Sequence, residues 1–207
     1  QQAVQLVEHG YVVLCPRCFL WDDFPGETPA KTGSALYLAN VNRMQERHPG
    51  WTGLTRMTWD GIRAIDFIQT LPAVDPQCIG IFGHSLGAKE VLYVAAFDDR
   101  VKCIVSSEGG IGLGFSNWED LWYLGPQIKA VGFAREHHEL LALIAPRPFL
   151  LLAGESGDGD RSWPFIVAAL PAYRWSGNST NLAWFNHGAG HRYPPEAQRV
   201  AATFLDR

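Results

Sequence analysis

Charge is scarce in this chain. Seventeen Lys and Arg and 21 Asp and Glu make up only 18% of 207 residues, with a formal net charge of −4. That balance leaves no basic surface for a polyanion, so nucleic acid is not an expected partner. No apolar run approaches the roughly 18 residues that cross a bilayer, so no membrane partner is expected either. The first ten residues, Gln1 to Gly10, lack the basic start and apolar stretch of a secretory leader and read as the end of an amphipathic helix. Internal repeats and low-complexity linkers are absent. Cysteine is sparse, with four residues. Cys15-Pro16-Arg17-Cys18 has no second close pair to complete a zinc ribbon, and no helix opens after it as a thioredoxin-type motif requires. Cys78 and Cys103 stand singly in apolar runs. All four read as buried or loop thiols, no metal is expected, and reduced thiols favour the cytoplasm. The glycines of Glu108-Gly109-Gly110-Ile111-Gly112-Leu113-Gly114 open no helix, which excludes a dinucleotide fingerprint, and Gly80 to Lys89 fails the P-loop spacing. No cofactor is expected.

What is present is a well-buried globule, 47% apolar, of a length that suits a single α/β domain over residues 1–207. Tyr11-Val12-Val13-Leu14-Cys15 reads as a buried strand after a His-Gly helix stop. A long polar and aromatic loop insertion follows at about 16–57, with a helix around 35–46. Residues 58–68 have helical spacing, with Ile62, Ile65 and Ile68 on one face. Strands are expected at 79–82, 101–106, 148–154 and 181–185. Helices are expected at 88–97, 133–144, 162–173 and 194–205, the last with Pro in its first turn. Alternating strands and helices imply a mostly parallel sheet with helices on both faces, and catalytic groups at the carboxyl ends of the strands.

Between the strand ending at Phe82 and the helix starting near Ala88 lies Gly83-His84-Ser85-Leu86-Gly87. Strand, Gly-x-Ser-x-Gly, helix is the context of a nucleophile elbow. The turn calls for small residues on either side of the serine and lifts the Ser85 hydroxyl above the sheet. It also aims the Leu86 N–H at a developing oxyanion. Serine needs a base. Of seven histidines, His187 and His191 follow the last strand in Asn186-His187-Gly188-Ala189-Gly190-His191, and His191, deeper in the loop, is preferred. His84 lines the pocket. The acid is open among three carboxylates. Asp160 is the first choice, after the strand before the last; Asp158 lies beside it, and either residue also fits a helix cap. Glu108, after the strand that follows the elbow helix, is the third candidate.

These residues resemble the α/β-hydrolase superfamily. Trp59-Asp60-Gly61-Ile62-Arg63-Ala64-Ile65-Asp66-Phe67, leading through Val74-Asp75-Pro76 into the elbow, resembles its dienelactone-hydrolase and acetyl-xylan-esterase-like branch, as does Gly188-Ala189-Gly190-His191. Ala95-Ala96-Phe97-Asp98-Asp99-Arg100-Val101, leading to Ser107-Glu108-Gly109-Gly110, is similar to glucuronoyl esterases, whose acid can stand at the position of Glu108. The chain departs from those enzymes at His84 and Leu86. The resemblance matches the first strand here to the family's fourth. It therefore implies an N-terminally shortened domain, without the loop that carries the second oxyanion donor. The implied activity is a serine esterase acting on a short acyl ester, a small molecule or a carbohydrate, through a Ser-His-acid triad and an acyl-enzyme. Peptidase, lactonase or C–C hydrolase chemistry, or an inactive binding protein, are the alternatives. The Trp residues in the predicted loops pack those loops or stack on sugar rings.

Overall fold

A computed structural model describes residues 2–22 and 33–206; part of the expected 16–57 insertion therefore lies outside the described residues. Among the described residues, four parallel strands form one sheet in the order β1 (Ile79–His84), β2 (Val101–Ser107), β3 (Phe149–Ala153) and β4 (Leu182–Asn186). β3 is buried at all five positions. A strand covered on both faces needs an unbroken apolar run, and Phe149-Leu150-Leu151-Leu152-Ala153 supplies one.

Side chains alternate across the sheet. Ile104, Phe149 and Leu151 join the core on the face covered by α4 (Leu86–Phe97), α5 (His138–Ile144) and α6 (Trp163–Trp175). Val105, Leu150 and Leu152 face the opposite way, onto Ala197, Ala201 and Phe204 of α7 (Pro195–Leu205). α4 crosses both β1 and β2 and buries Ala88, Lys89, Val91, Leu92, Val94 and Ala95. It is apolar nearly all round, as a helix sandwiched between the sheet and a second helix must be. That second helix is α3 (Gly53–Ile68), whose start is capped by the Thr52 hydroxyl accepting the Thr55 N–H at 3.2 Å. α1 (Gln2–Glu8) and α2 (Ser34–Arg47) precede it.

Two expected elements differ. Tyr11–Cys15 is not a strand: it has no regular secondary structure, and Val12 and Leu14 are exposed. Beside it lies a groove of about 920 Å³ lined by Val13, Leu14, Gly61, Ile79, Ile81 and Glu90. Among the described residues β1 pairs only with β2, so the apolar run has no backbone partner and its alternation stays half in water. The helix expected at 133–144 begins only at His138. Just before it, the Glu136 carboxylate accepts the N–H groups of Leu113 and His137, which ties this stretch to the glycine loop instead of a helical turn. Among the described residues no disulfide joins the cysteines; Cys15 and Cys78 are exposed rather than buried.

Candidate active site

β1 delivers its last residue, His84, to a tight turn, and Ser85 takes φ 58° and ψ −115° before α4 begins at Leu86. A left-handed serine costs about 1–3 kcal/mol and persists only where its surroundings over-determine it. Here the Ser85 N–H donates to the Ser107 carbonyl at 2.8 Å, binding the turn to the neighbouring strand. Gly83 is required by close approach, since a Cβ there would lie 2.1 Å from the Gly87 carbonyl oxygen. Gly87 is not required in this way, because a Cβ there meets nothing within 4 Å. Only one side of the serine therefore has to be small. The Ala88 N–H donates to the Ser85 carbonyl at 3.1 Å, while the N–H groups of Leu86 and Gly87, at the very start of α4, have no acceptor within the helix.

The loop after β4 brings His191, not His187, to Ser85. The Gly190 N–H donates to the Gly154 carbonyl at 2.6 Å, and a Cβ on Gly154 would sit 2.1 Å from the Gly190 oxygen, so the loop lies directly on the end of β3. His191 Nε2 stands 2.8 Å from Ser85 Oγ, and its Nδ1 stands 3.4 Å from Glu108 Oε2. His187 turns back on its own loop, its Nδ1 accepting the Ala189 N–H.

Of the three candidate acids, the structure places Glu108 against the histidine. Glu108 is 1% exposed and left-handed, with φ 58°. Its carboxylate accepts the N–H groups of Gly154, Gly157 (2.7 Å) and Asp158 (3.3 Å). Asp160 is turned away from His191: it is exposed and accepts from Asn186 Nδ2 at 2.9 Å. The first-choice acid of the sequence is thus occupied elsewhere, because the loop after β3 gives its N–H groups to Glu108 and leaves Asp160 to begin the next turn. Asp158 also faces away from the histidine. It is fully buried and accepts from the N–H groups of Gly110 and Ile111, both at 2.7 Å, and from Ser162 Oγ at 2.8 Å. Burial pushes its carboxyl above the usual carboxylate range, with these donors opposing and Glu108 adding to the rise.

One charged group beside the site escaped the sequence reading. Lys89, 3% exposed, stands one helical turn after Ser85 with its Nζ 3.8 Å from the Trp118 ring centre and 4.9 Å from that of Tyr123. It has no hydrogen-bond partner among the described residues, and burial drives its ammonium down to about 7, with Asp158 and Asp120 opposing. The signal was its spacing: residues four apart share a helix face, so a lysine four after Ser85 points to the same end of the sheet. Trp118 and Trp122 are buried in an aromatic cluster with Tyr123, and the Trp118 indole N–H donates to the Gly110 carbonyl.

A parallel sheet with a strained serine between β1 and α4, and a histidine delivered from the loop after the last strand, defines the α/β-hydrolase fold, and the chain has that fold. Residues 62–119, which include the elbow and Glu108, match the family model of the BAAT / acyl-CoA thioester hydrolase C-terminal region. YtaP of Bacillus subtilis, a protein named as a hydrolase, is 33% identical over 104 residues, 47% of this chain and 34% of YtaP. A 4-O-methyl-glucuronoyl methylesterase of Hypocrea jecorina is 24% identical over 192 residues, covering 74% of this chain and 40% of that protein. Among solved structures, a glucuronoyl esterase from Teredinibacter turnerae superposes with a TM-score of 0.62 at 26% identity, over 76% of this chain and 47% of that one. The chain therefore spans between a third and a half of the length of these relatives.

Proposed function

We propose that the site hydrolyses a carboxylic ester through Ser85, His191 and Glu108. His191 Nε2 takes the Ser85 proton as Oγ attacks the carbonyl carbon. Glu108 accepts from Nδ1–H, which fixes the tautomer and stabilises the imidazolium. The Leu86 N–H donates to the oxyanion of the tetrahedral intermediate. Collapse expels the alcohol, which takes the proton from His191 and leaves an acyl-Ser85. Water, deprotonated by His191, then releases the acid. The observation that carries this reading is the imidazole held 2.8 Å from Ser85 Oγ on one side and 3.4 Å from a buried carboxylate on the other.

The relatives named for glucuronoyl methylesters favour a uronate ester on a carbohydrate as substrate, and the thioesterase family match favours an acyl thioester as the second reading. Hydrolysis of p-nitrophenyl acetate by the chain and by its Ser85→Ala variant tests the chemistry. Loss of turnover in the variant is expected, and unchanged turnover overturns the serine mechanism. A panel of methyl glucuronate, acetylated xylan and an acyl-CoA then separates the substrate classes.

A further inference from the structure

His84 belongs to neither the triad nor the oxyanion donors, yet it is built into the site from three directions. Its Nδ1 lies 3.0 Å from the hydroxyl of Ser107, a residue with no exposed surface. Its ring centre is 4.8 Å from that of His191, with the planes inclined at 42°. On its outer side the Tyr193 ring lies at 6.4 Å. Ser107 ties the arrangement together, because its carbonyl also receives the Ser85 N–H and the next residue is Glu108. The contacts thus close a ring: Ser85 to His191, His191 to Glu108, Glu108 through the chain to Ser107, and Ser107 to both Ser85 and His84.

Resting on the serine mechanism proposed above, we infer that His84 is a positioning residue whose ring, pinned by Ser107, is the wall against which the His191 imidazole lies in line between Glu108 and Ser85. Half the His191 side chain is open to solvent, and its bond to Glu108 is long. Without a wall the ring is free to rotate away from Ser85. The groups facing His84 are His191, Glu108 and His187, and the Tyr193 ring. Burial, followed by the His191 charge, pushes the His84 imidazole down, with Glu108 opposing, so it meets a developing His191 imidazolium as a neutral aromatic face. A neutral ring attracts such a cation, whereas a second cation would repel it.

The test reads the rate at which a fluorophosphonate labels Ser85, together with kcat and KM on p-nitrophenyl acetate. His84→Ala is expected to slow labelling and kcat by about ten- to a hundredfold, the scale of a displaced catalytic group, with KM within about twofold. His84→Phe, which restores a ring without the Ser107 bond, is expected to recover most of that loss; Ser107→Ala, which keeps the ring but frees it, is expected to lose a few-fold. Labelling by His84→Ala within about twofold of the parent overturns the inference, as does His84→Phe being as slow as His84→Ala. Ser85→Ala runs alongside. If it still turns over the ester, the serine mechanism itself has failed; if it is dead while His84→Ala is unimpaired, only the role of His84 has failed.

Discussion

Glu108 and Asp158 hold each other's loops. Glu108 accepts the Gly154, Gly157 and Asp158 N–H groups of the loop after β3, and Asp158 accepts the Gly110 and Ile111 N–H groups of the loop after β2. Two buried carboxylates that repel each other are thereby fixed by five backbone donors. Asp158→Ala strands two N–H groups and the Ser162 hydroxyl. At about 1–3 kcal/mol for each buried group left unsatisfied, the expected loss is 3 kcal/mol or more. Denaturant unfolding measures it, and because the loop that carries Glu108 is released, labelling of Ser85 should slow in step. A destabilised protein that labels at the parental rate would show that the two loops are not coupled to the site.

The choice of acid can be decided by two near-isosteric changes. Glu108→Gln leaves His191 Nδ1 facing an amide, and kcat should fall by roughly a thousandfold or more, the scale seen when a triad acid becomes its amide. Asp160→Asn, on an exposed carboxylate bonded to Asn186, should stay within a few-fold of the parent. The reverse order in steady-state rates returns the acid to Asp160.

Gly83 and Gly87 flank the same serine symmetrically in sequence but not in space. Gly83→Ala drives a methyl into the Gly87 carbonyl and should cost about 3 kcal/mol or prevent folding. Gly87→Ala meets no neighbour and lies in a helix, so it should stabilise the protein by up to about 1 kcal/mol. Thermal unfolding of the pair checks both directions.

Lys89 makes stability depend on pH. In the folded protein its ammonium loses its proton near pH 7, whereas the unfolded chain keeps it to about 10.5. Between those values the unfolded state binds more protons, so stability from this group rises as pH rises. Lys89→Met removes the effect. The stability difference between parent and variant, from urea midpoints at pH 7 and pH 9.5, should shift in the parent's favour at the higher pH. An unchanged difference would show that Lys89 titrates normally.

The sheet strands were legible because each is an apolar run bounded by turn residues, β3 most plainly. That Ser85 sits on a strained turn and that His191 reaches it were legible because a steric motif and a glycine loop leave local marks. The acid was not. Three carboxylates followed strands, and what separates them is which one receives the N–H groups of residues 154, 157 and 158, a long-range fact with no local pattern. Tyr11–Cys15 misled for the same reason, since a continuous apolar run makes a strand only where a backbone partner exists. Lys89 was hidden because the rings that cover its ammonium, Trp118 and Tyr123, lie about thirty positions away in sequence.

Ser85 meets Glu108's neighbourhood through the pairing of β1 with β2, but His191 comes 106 residues after the serine and 83 after the glutamate. As the polypeptide leaves the ribosome, β1 and β2 can pair while His191 is not yet made. On the proposed mechanism Ser85 therefore has no partner base until β4 docks and the Gly190 amide settles on Gly154. On that mechanism, labelling of Ser85 reports that β4 and the loop after it have docked.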